Sequence, residues 1–337
     1  MNDLQRQIIA AAEGLPDFLI GKKIDLSERV PLPEPLLRQD SSDTILFTKG
    51  NISCIAGSEK SRKTFLVTAI AAALLGDEQL TLSGVLENPK VVIIDTEQDI
   101  SDTHVITRRV HRLLKWDCSQ SNDRLAVYNL RELDVSQRNT AVEKILEIES
   151  PSVCFIDGVV DLCEDFNDLK ESRKVIDRLG AIASQTRTHI CICIHFNKGT
   201  TELRGHIGSF IKQKSEIVIG VEAQDGYSDV LPLRSRRKPF DKFSIAIDDK
   251  ALPYLYNPPQ ATPKTDKLKA LFEEAFKDLP TTVSYTLLRD NVMKLSSIKE
   301  RAAEKKIEQA ICEGIVKKND YGYYLPVKIP ENEQLPF

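Results

Sequence analysis

Short apolar runs alternate with longer periodic stretches through the middle of this chain. The apolar runs predict strands at 51–56, 91–97, 125–130, 152–157 and 189–195. The stretches between them carry apolar residues at helical spacing and predict helices at 64–75, 102–115, 137–149 and 168–187. Strands that alternate with helices in this way indicate a mostly parallel sheet with helices on both faces. The predicted fold class is therefore α/β.

The pattern changes after residue 200. Three short strand-like segments are separated by Asp-Gly or Pro turns and predict antiparallel strands that finish the sheet, at 215–222, 228–235 and 242–248. Further along, helical periodicity returns at 265–277, 284–294 and 296–313. Two short strands around an Asn-Asp-Tyr-Gly turn follow these helices. The end of the chain therefore predicts a small α+β unit of its own.

These patterns divide the chain into four parts. Residues 1–45 hold one amphipathic helix, at 4–13, and an extended segment broken by prolines, which we expect to pack outside the core. The main domain covers 46–250. A Pro-rich stretch without periodicity, 251–264, predicts a linker, and the smaller domain covers 265–330.

Composition and charge indicate which classes of protein are compatible with this chain. The chain has 337 residues, 41% hydrophobic and 28% charged, as expected of an ordinary globular protein with a substantial core. Its net charge of −4 argues against a protein that coats nucleic acid, although a local basic face is compatible with it. Seven cysteines without a Cys-x-x-Cys pair, and no secretory signal, favour reduced thiols in a cytoplasm. No apolar run approaches the ~18 residues that a membrane span requires.

The segment NISCIAGSEKSRKTFLVT, 51–68, carries the strongest chemical signal. A predicted strand ends at Gly57, a polar loop follows, and Lys63 and Thr64 open a helix, which is the context of a phosphate-binding P-loop. Loop N–H groups would face the phosphates, Lys63 would add a charge, and Thr64 would bind Mg²⁺. The predicted nucleotide-binding residues are Gly57, Ser58, Glu59, Lys60, Ser61, Arg62, Lys63, Thr64 and Phe65. A chance strand–loop–helix is the alternative.

Arg62 departs from the P-loop pattern, which has glycine at this position. Glycine serves there because the loop is tight and its backbone comes close to the phosphates. The extra charges of Lys60 and Arg62 either strengthen phosphate binding or crowd the loop and slow turnover. Nucleotide binding is therefore the firmer prediction, and the rate of hydrolysis stays open.

Polar residues stand at the ends of three further predicted strands. Asp157 ends SVCFID and predicts a carboxylate that holds Mg²⁺, the alternative being an Asp that starts a turn. Glu97 ends VVIIDTE and could orient the water that attacks the γ-phosphate, with Asp95 as a rival. His195 ends HICICIH and could sense the γ-phosphate; otherwise it is a polar strand end satisfied by a loop.

The order of these parts resembles the RecA-like fold. Within it, the chain is similar to RepA-type plasmid helicases, DnaB-like replicative helicases and AAA-type ATPases of mobile elements. The segment IHFNKGTTELRGHIGSFIKQKSEIVIGV, from Ile194, extends the resemblance through His195, Lys198, Arg204-Gly205 and Ser209. The resemblance implies ATP and Mg²⁺ as cofactors, DNA as a partner, and a homo-oligomer such as a hexameric ring. Replication or mobilisation proteins would be further partners.

A basic segment, LRSRRKPF at 233–240, is similar to a hairpin that in this family reaches the γ-phosphate of a neighbouring subunit. By that match Arg234 and Arg236 would act in the neighbour's site, with Arg237 as a rival. Such arginines stabilise the charge of the transition state. The alternative is a basic hairpin that only binds nucleic acid or solvent.

The C-terminal part resembles a winged-helix domain, with SIKERAAEKKIEQAICEGIVKK before YGYYL. Its candidate DNA-contacting residues are Lys299, Lys305, Lys306, Lys317 and Lys318. Glutamates interleave with these lysines, so a solvated helix face is the alternative, and a winged helix can also dock proteins. Two function classes follow: a DNA-acting ATPase, and a nucleotide-gated DNA-binding or regulatory protein with little turnover.

Overall fold

The computed structural model describes two compact units of the chain, Met1–Asn257 and Pro258–Phe337. The described residues are 16–19, 22, 24–27, 29–76, 78–197, 199–258, 264–277, 279–280, 282–312, 314–319, 322 and 324–326. The predicted helix at 4–13 and the predicted site residue Lys198 lie outside them. None of the helices in these ranges is long and apolar enough to cross a membrane.

The first unit combines strands and helices in the predicted alternation. Its strands are β1 (Pro35–Gln39), β2 (Thr44–Thr48), β3 (Ile52–Gly57), β4 (Leu82–Gly84), β5 (Val91–Asp95), β6 (Leu125–Asn129), β7 (Val153–Asp157), β8 (His189–His195), β9 (Ile217–Ala223), β10 (Tyr227–Ser235), β11 (Phe243–Ile247) and β12 (Pro253–Tyr256). Its helices are α1 (Lys63–Leu75), α2 (Ile100–Leu113), α3 (Val135–Glu149), α4 (Leu169–Thr186) and α5 (Gly205–Lys214). Short 3₁₀ turns occupy Asp17–Leu19 and Val159–Leu162.

Nine strands form one sheet in the order β12-β11-β10-β9-β3-β8-β7-β5-β6. The six strands from β9 to β6 in this order are parallel, and β10, β11 and β12 continue the sheet in antiparallel pairs. The predicted α/β fold class, a mostly parallel sheet finished by antiparallel strands, is confirmed. The strand order is consistent with a RecA-like fold. Strand β8 lies between β3 and β7, so the ends of these three strands lie side by side.

Both faces of the sheet are buried, which explains the continuous apolar runs. Neighbouring residues of β3 belong to opposite cores: Cys54 packs on the face of α4 and α5, and Ile55 packs on the face of α1. Helix α1 is buried on nearly all sides, and Ala71, Ala72 and Ala73 are fully enclosed. A helix that is apolar all round requires cover on both sides.

The second cover of α1 is a small antiparallel sheet in the order β2-β1-β4. At Gly84 in β4, an added Cβ would lie 2.9 Å from Leu74 Cα, so this strand runs directly against α1. The sequence pattern does not predict this sheet. Strand β1 has five residues, begins at a proline and carries two adjacent buried leucines, Leu36 and Leu37, instead of an alternating pattern.

The stretch predicted as a linker begins inside the sheet. Strand β12 pairs antiparallel with β11 at the edge of the nine-stranded sheet, before the described chain continues to 258. Pro253 is the first residue of this edge strand, a position where the missing N–H of proline is tolerated. The prolines of this stretch predicted a linker, whereas its first part forms a strand at the sheet edge.

The second unit contains three helices and a hairpin. They are α6 (Lys264–Lys277), α7 (Tyr285–Ser296), α8 (Glu300–Cys312), β13 (Val316–Lys318) and β14 (Tyr324–Pro326). Helix α8 begins four residues later than predicted, because Ser297 ends α7 in the left-handed conformation. The inward side of α8 carries Ala303, Ile307 and Ala310, at helical spacing, and Ala302 is exposed.

Candidate functional site

A cavity of about 430 Å³ opens at the carboxyl ends of the parallel strands. The register of the sheet places Gly57 opposite His195, and Asp95 opposite Asp157. Ligands of open α/β sheets bind at this edge. The cavity is lined by Lys60, Ser61, Arg62, Lys63, Thr64, Phe65, Glu97, Gln98, Asp102, Val105, Ile106, Arg109, Asp157 and His195. The structure therefore brings the loop and three strand-end residues into one place.

The loop between β3 and α1 is tightly folded. A Cβ on Gly57 would lie 2.5 Å from Val221 O, so only glycine fits at the end of β3. Lys60 and Arg62 both have positive φ, of 60° and 72°. Such left-handed backbone costs about 1 kcal/mol or more for a residue other than glycine, and it is common at ligand sites. Arg62 thus adopts the backbone conformation for which the P-loop pattern uses glycine.

Two loop groups are arranged for an anion. Lys63 Nζ donates to Gly57 O at 3.1 Å and Ser58 O at 3.0 Å, and burial lowers the pKa of this ammonium. The Ser61 hydroxyl is buried and has no hydrogen-bond partner among the residues that the structure describes. An unsatisfied buried hydroxyl is costly, and a phosphate oxygen would supply the acceptor that it lacks. The loop therefore fits a phosphate group.

Thr64 and Asp157 form the oxygen pair predicted for Mg²⁺. Thr64 Oγ1 donates to Asp157 Oδ2 at 3.0 Å. A hydroxyl beside a carboxylate suits Mg²⁺, which takes one or two protein oxygens together with phosphate oxygens. Burial, and next the charge of Glu97, raise the pKa of Asp157 to about 6. A divalent cation would favour the ionised form of Asp157 and offset part of the free-energy cost of burying its charge.

Asp157→Asn is expected to stabilise the protein without ligand at pH 8 by roughly 1–3 kcal/mol, since one pKa unit corresponds to about 1.4 kcal/mol. The raised pKa means that Asp157 favours folding below its unfolded value of 3.8, and that this contribution is lost as the pH rises through about 6. The gain should therefore fall severalfold at pH 4, where the folded-state carboxyl is protonated. Urea unfolding at both pH values measures it, with the exposed Asp123→Asn as control. A loss of stability at pH 8 would contradict the raised pKa.

Glu97 and His195 lie together beside Lys63. His195 Nε2 is 3.8 Å from Glu97 Oε2, and His195 Nδ1 is 3.1 Å from Lys63 Nζ. A charged lysine has no acceptor, so Nδ1 accepts and Nε2 carries the proton that faces Glu97. Contact with His195 is the largest cause that lowers the pKa of Glu97. Glu97 is therefore ionised at neutral pH and able to accept a proton.

Asp95, the rival of Glu97, is placed differently. Its side chain is buried and accepts hydrogen bonds from Glu97 N at 3.1 Å, Gln98 N at 3.0 Å and Thr103 Oγ1 at 2.7 Å. These contacts hold the turn that follows β5. The geometry gives Asp95 a structural task and leaves Glu97 facing the cavity.

Helix α2 supplies cavity residues that the sequence did not reveal. The Arg109 guanidinium lies 3.8 Å from the centroid of the Phe65 ring, and Arg109 Nε donates to Ala251 O at 3.1 Å. Burial lowers the pKa of Arg109 to about 10. The sequence pattern that could have indicated this side of α2 is the helical spacing of Val105, Ile106 and Arg109. Only the tertiary fold shows that this side of α2 faces Phe65.

The basic segment at 233–240 begins within β10 and lies outside the lining of this cavity. The carbonyl of Tyr227, at the start of β10, accepts from Arg62. At about 3.3 Å per residue, the nine residues of β10 place Ser235 roughly 26 Å from Tyr227. Neither Arg234 nor Arg236 lines the cavity of its own chain. A role in a neighbouring subunit's site stays a prediction.

The two predicted finger arginines have different surroundings. Arg236 Nη2 donates to Gln213 O and Lys214 O, both at 3.0 Å, at the end of α5. The Arg234 side chain is exposed and makes no hydrogen bond or ion pair within the described ranges. Arg234 is therefore freer than Arg236 to reach another molecule.

The predicted DNA-contacting lysines belong to the second unit. Lys299 precedes α8, and Lys317 and Lys318 lie in β13. Four of the five are exposed, namely Lys299, Lys305, Lys317 and Lys318, and Lys306 is half-buried. Their accessibility is compatible with contact to phosphates, which stays a prediction.

Comparison with known proteins adds a family match. A family model described as "AAA domain" matches residues 31–201, just over half of the chain. No curated protein sequence matches the chain. Among solved structures, the chain is similar to the crystal structure of a KaiC-like protein from the hyperthermophilic archaeon Pyrococcus horikoshii OT3. The two chains are 16% identical with a TM-score of 0.46, and the match covers 68% of this chain and 99% of that chain.

Proposed function

This chain belongs to the AAA domain family, and we propose that it binds ATP with Mg²⁺ and hydrolyses it at the edge of the nine-stranded sheet. One observation carries the proposal. Lys63, the Thr64–Asp157 pair and the Glu97–His195 pair converge on a single cavity. Each of them has the chemistry that one step of phosphoryl transfer requires.

The loop binds the phosphates in this proposal. Its N–H groups and the start of α1 face the anion, and Lys63 exchanges its contacts with Gly57 O and Ser58 O for phosphate oxygens. Thr64 and Asp157 hold Mg²⁺, which neutralises phosphate charge when it is bound. Phe65, Val105, Ile106 and Arg109 offer an apolar and cationic surface on which the base can stack.

Glu97 orients the attacking water and accepts its proton. The water oxygen bonds to the γ-phosphorus, the bond to the bridging oxygen of ADP breaks, and the proton moves to the Glu97 carboxylate. His195 links Glu97 to Lys63, so it contacts both the base and the group that holds the phosphate. This position suits a residue that responds to the presence of the γ-phosphate.

The finer proposal concerns DNA. The protein acts as a RecA-like motor of the helicase type in plasmid or mobile-element replication, assembled as a ring of identical subunits. The second unit serves as a winged-helix-like module, supported by its order of three helices and a hairpin and by four exposed lysines. The alternative, a nucleotide-gated DNA-binding protein with little turnover, is favoured by one observation, the non-glycine Arg62 at φ 72°.

Steady-state ATP hydrolysis with and without single-stranded DNA tests the proposal. We expect measurable turnover with Mg²⁺ that single-stranded DNA accelerates. Lys63→Ala should weaken ATP binding at least tenfold, because a charged hydrogen bond to phosphate is worth roughly 1.5–3 kcal/mol. Lys144→Ala, an exposed lysine outside the cavity, is the matched control.

The outcomes separate the two function classes. ATP binding without turnover, with or without DNA, would support the nucleotide-gated protein. Equal ATP affinity of the wild type and Lys63→Ala would overturn the assignment of the site.

A further inference from the structure

Arg62 occupies a strained position in the loop. It is the N-cap of α1, with φ 72° and ψ 23°, and its side chain makes no capping hydrogen bond. Glycine adopts this conformation freely, whereas a residue with a Cβ prefers to leave it. The conformation of Arg62 therefore costs about 1 kcal/mol or more, which other contacts of this residue can offset.

The side chain of Arg62 provides that support. Its Nη1 donates to Tyr227 O at 2.9 Å and to Ser228 Oγ at 3.0 Å, both at the start of β10. Ser228 Oγ in turn donates to Ser61 O at 3.0 Å. Ser228 is fully buried, so this hydroxyl is fixed between the loop and the strand. The loop is thus tied to β10 at two successive residues.

These hydrogen bonds, called the tether below, explain how an arginine is accommodated at a loop position where glycine is usual. The guanidinium engages the carbonyl of Tyr227 and the hydroxyl of Ser228 on β10, which is separated from β3 by β9. Hydrogen bonds from a charged donor are stronger than those between neutral groups. Their free energy is of the order needed to offset the strain of a left-handed residue.

We propose that Arg62 is a positioning residue: its tether to Tyr227 and Ser228 keeps the loop in its phosphate-binding conformation and sets the affinity for ATP. The inference rests on the proposed ATP site. It adds that the loop's shape depends on β10, which a loop with glycine at this position does not require. A loop that is competent only part of the time binds in proportion to its competent fraction.

Two substitutions of Arg62 distinguish the effect of losing the tether from the effect of the backbone strain. Arg62→Ala removes the tether and keeps a Cβ in the left-handed conformation, so ATP affinity should fall about tenfold or more. Arg62→Gly removes the tether and the strain together, so affinity should stay within about threefold of wild type. Titration with a fluorescent ATP analogue measures both, with Arg173→Ala, an exposed arginine on α4, as control.

Ser228→Ala tests the other end of the tether. It should weaken ATP binding severalfold, and the double substitution should cost less than the sum of the two single effects, because the Arg62–Ser228 hydrogen bond is lost in both. Equal losses in Arg62→Gly and Arg62→Ala would overturn the inference, since Arg62 would then act through its own charge. Wild-type affinity in Arg62→Ala would also overturn it.

Hydrogen exchange without nucleotide distinguishes this inference from the proposed function. Arg62→Ala should speed the exchange of the amides of Ser61, Phe65 and Leu66, which donate to Ser58 O and Arg62 O, about tenfold or more, with the core of α1 unchanged. If the wild type binds no ATP, the proposed function is wrong. The exchange experiment needs no nucleotide, so it would still show whether the tether holds the loop. Unchanged exchange in Arg62→Ala would refute the tether even if ATP binds well.

Discussion

Glu97→Gln is expected to lower ATP turnover by roughly two to four orders of magnitude, the contribution typical of a general base. The affinity for ATP should change by less than about threefold, because the substitution leaves the loop and Lys63 intact. Single-turnover hydrolysis and nucleotide titration, performed on the same preparation, measure the two effects separately.

The physical reason is the position of the carboxylate. Glu97 faces the cavity with a side chain that is 37% exposed, and His195 lowers its pKa, so it is ionised and accessible to water. A glutamine amide keeps the size and can still lie beside His195 Nε2, but it cannot take a proton from water. The variant should therefore bind ATP and hold it.

The matched control is Glu87→Gln, an exposed glutamate outside the cavity lining. It should hydrolyse ATP at the wild-type rate. Unchanged turnover in Glu97→Gln would exclude Glu97 as the base. Loss of binding together with turnover would instead point to a structural role for this residue.

Arg234→Ala is expected to reduce turnover roughly 10³-fold, the order of effect known for arginines that act on a neighbour's phosphates. Arg234 is exposed, and β10 holds it at the end of the sheet away from its own cavity. Its predicted role is therefore in the site of another subunit. ATP binding by an isolated subunit should be unaffected. Arg173→Ala again serves as the control.

A mixing experiment tests the action between subunits. Arg234→Ala retains its own Glu97, and Glu97→Gln retains its own Arg234, so an interface between them can be complete. In a randomly mixed ring with head-to-tail interfaces, roughly a quarter of the interfaces pair the two intact residues. Turnover should recover to about that fraction of wild type. A mixture as inactive as its components would refute the trans role of Arg234.

Much of the fold followed from periodicity. The parallel strands and most helices lie within a few residues of the predicted bounds, because burial on two faces leaves apolar runs that a sequence displays directly. The small sheet of β1, β2 and β4 was missed since its strands are short and one begins at a proline. Strand β12 was hidden by Pro253 for a similar reason.

The chain by itself determined which strand ends carry chemistry. Gly57, Asp157 and His195 end buried strands, Glu97 follows one closely, and parallel strands place their carboxyl ends on one edge. Local sequence therefore sufficed to predict that these groups meet.

Only the tertiary structure shows which other residues surround these strand-end groups. The contact of Arg109 with Phe65, and the tether from Arg62 to β10, join segments that are distant in sequence. Such contacts depend on sheet order and helix packing, which no local pattern encodes. At Arg62, the sequence revealed a departure from the glycine pattern, and the fold supplied the partners of this arginine on β10.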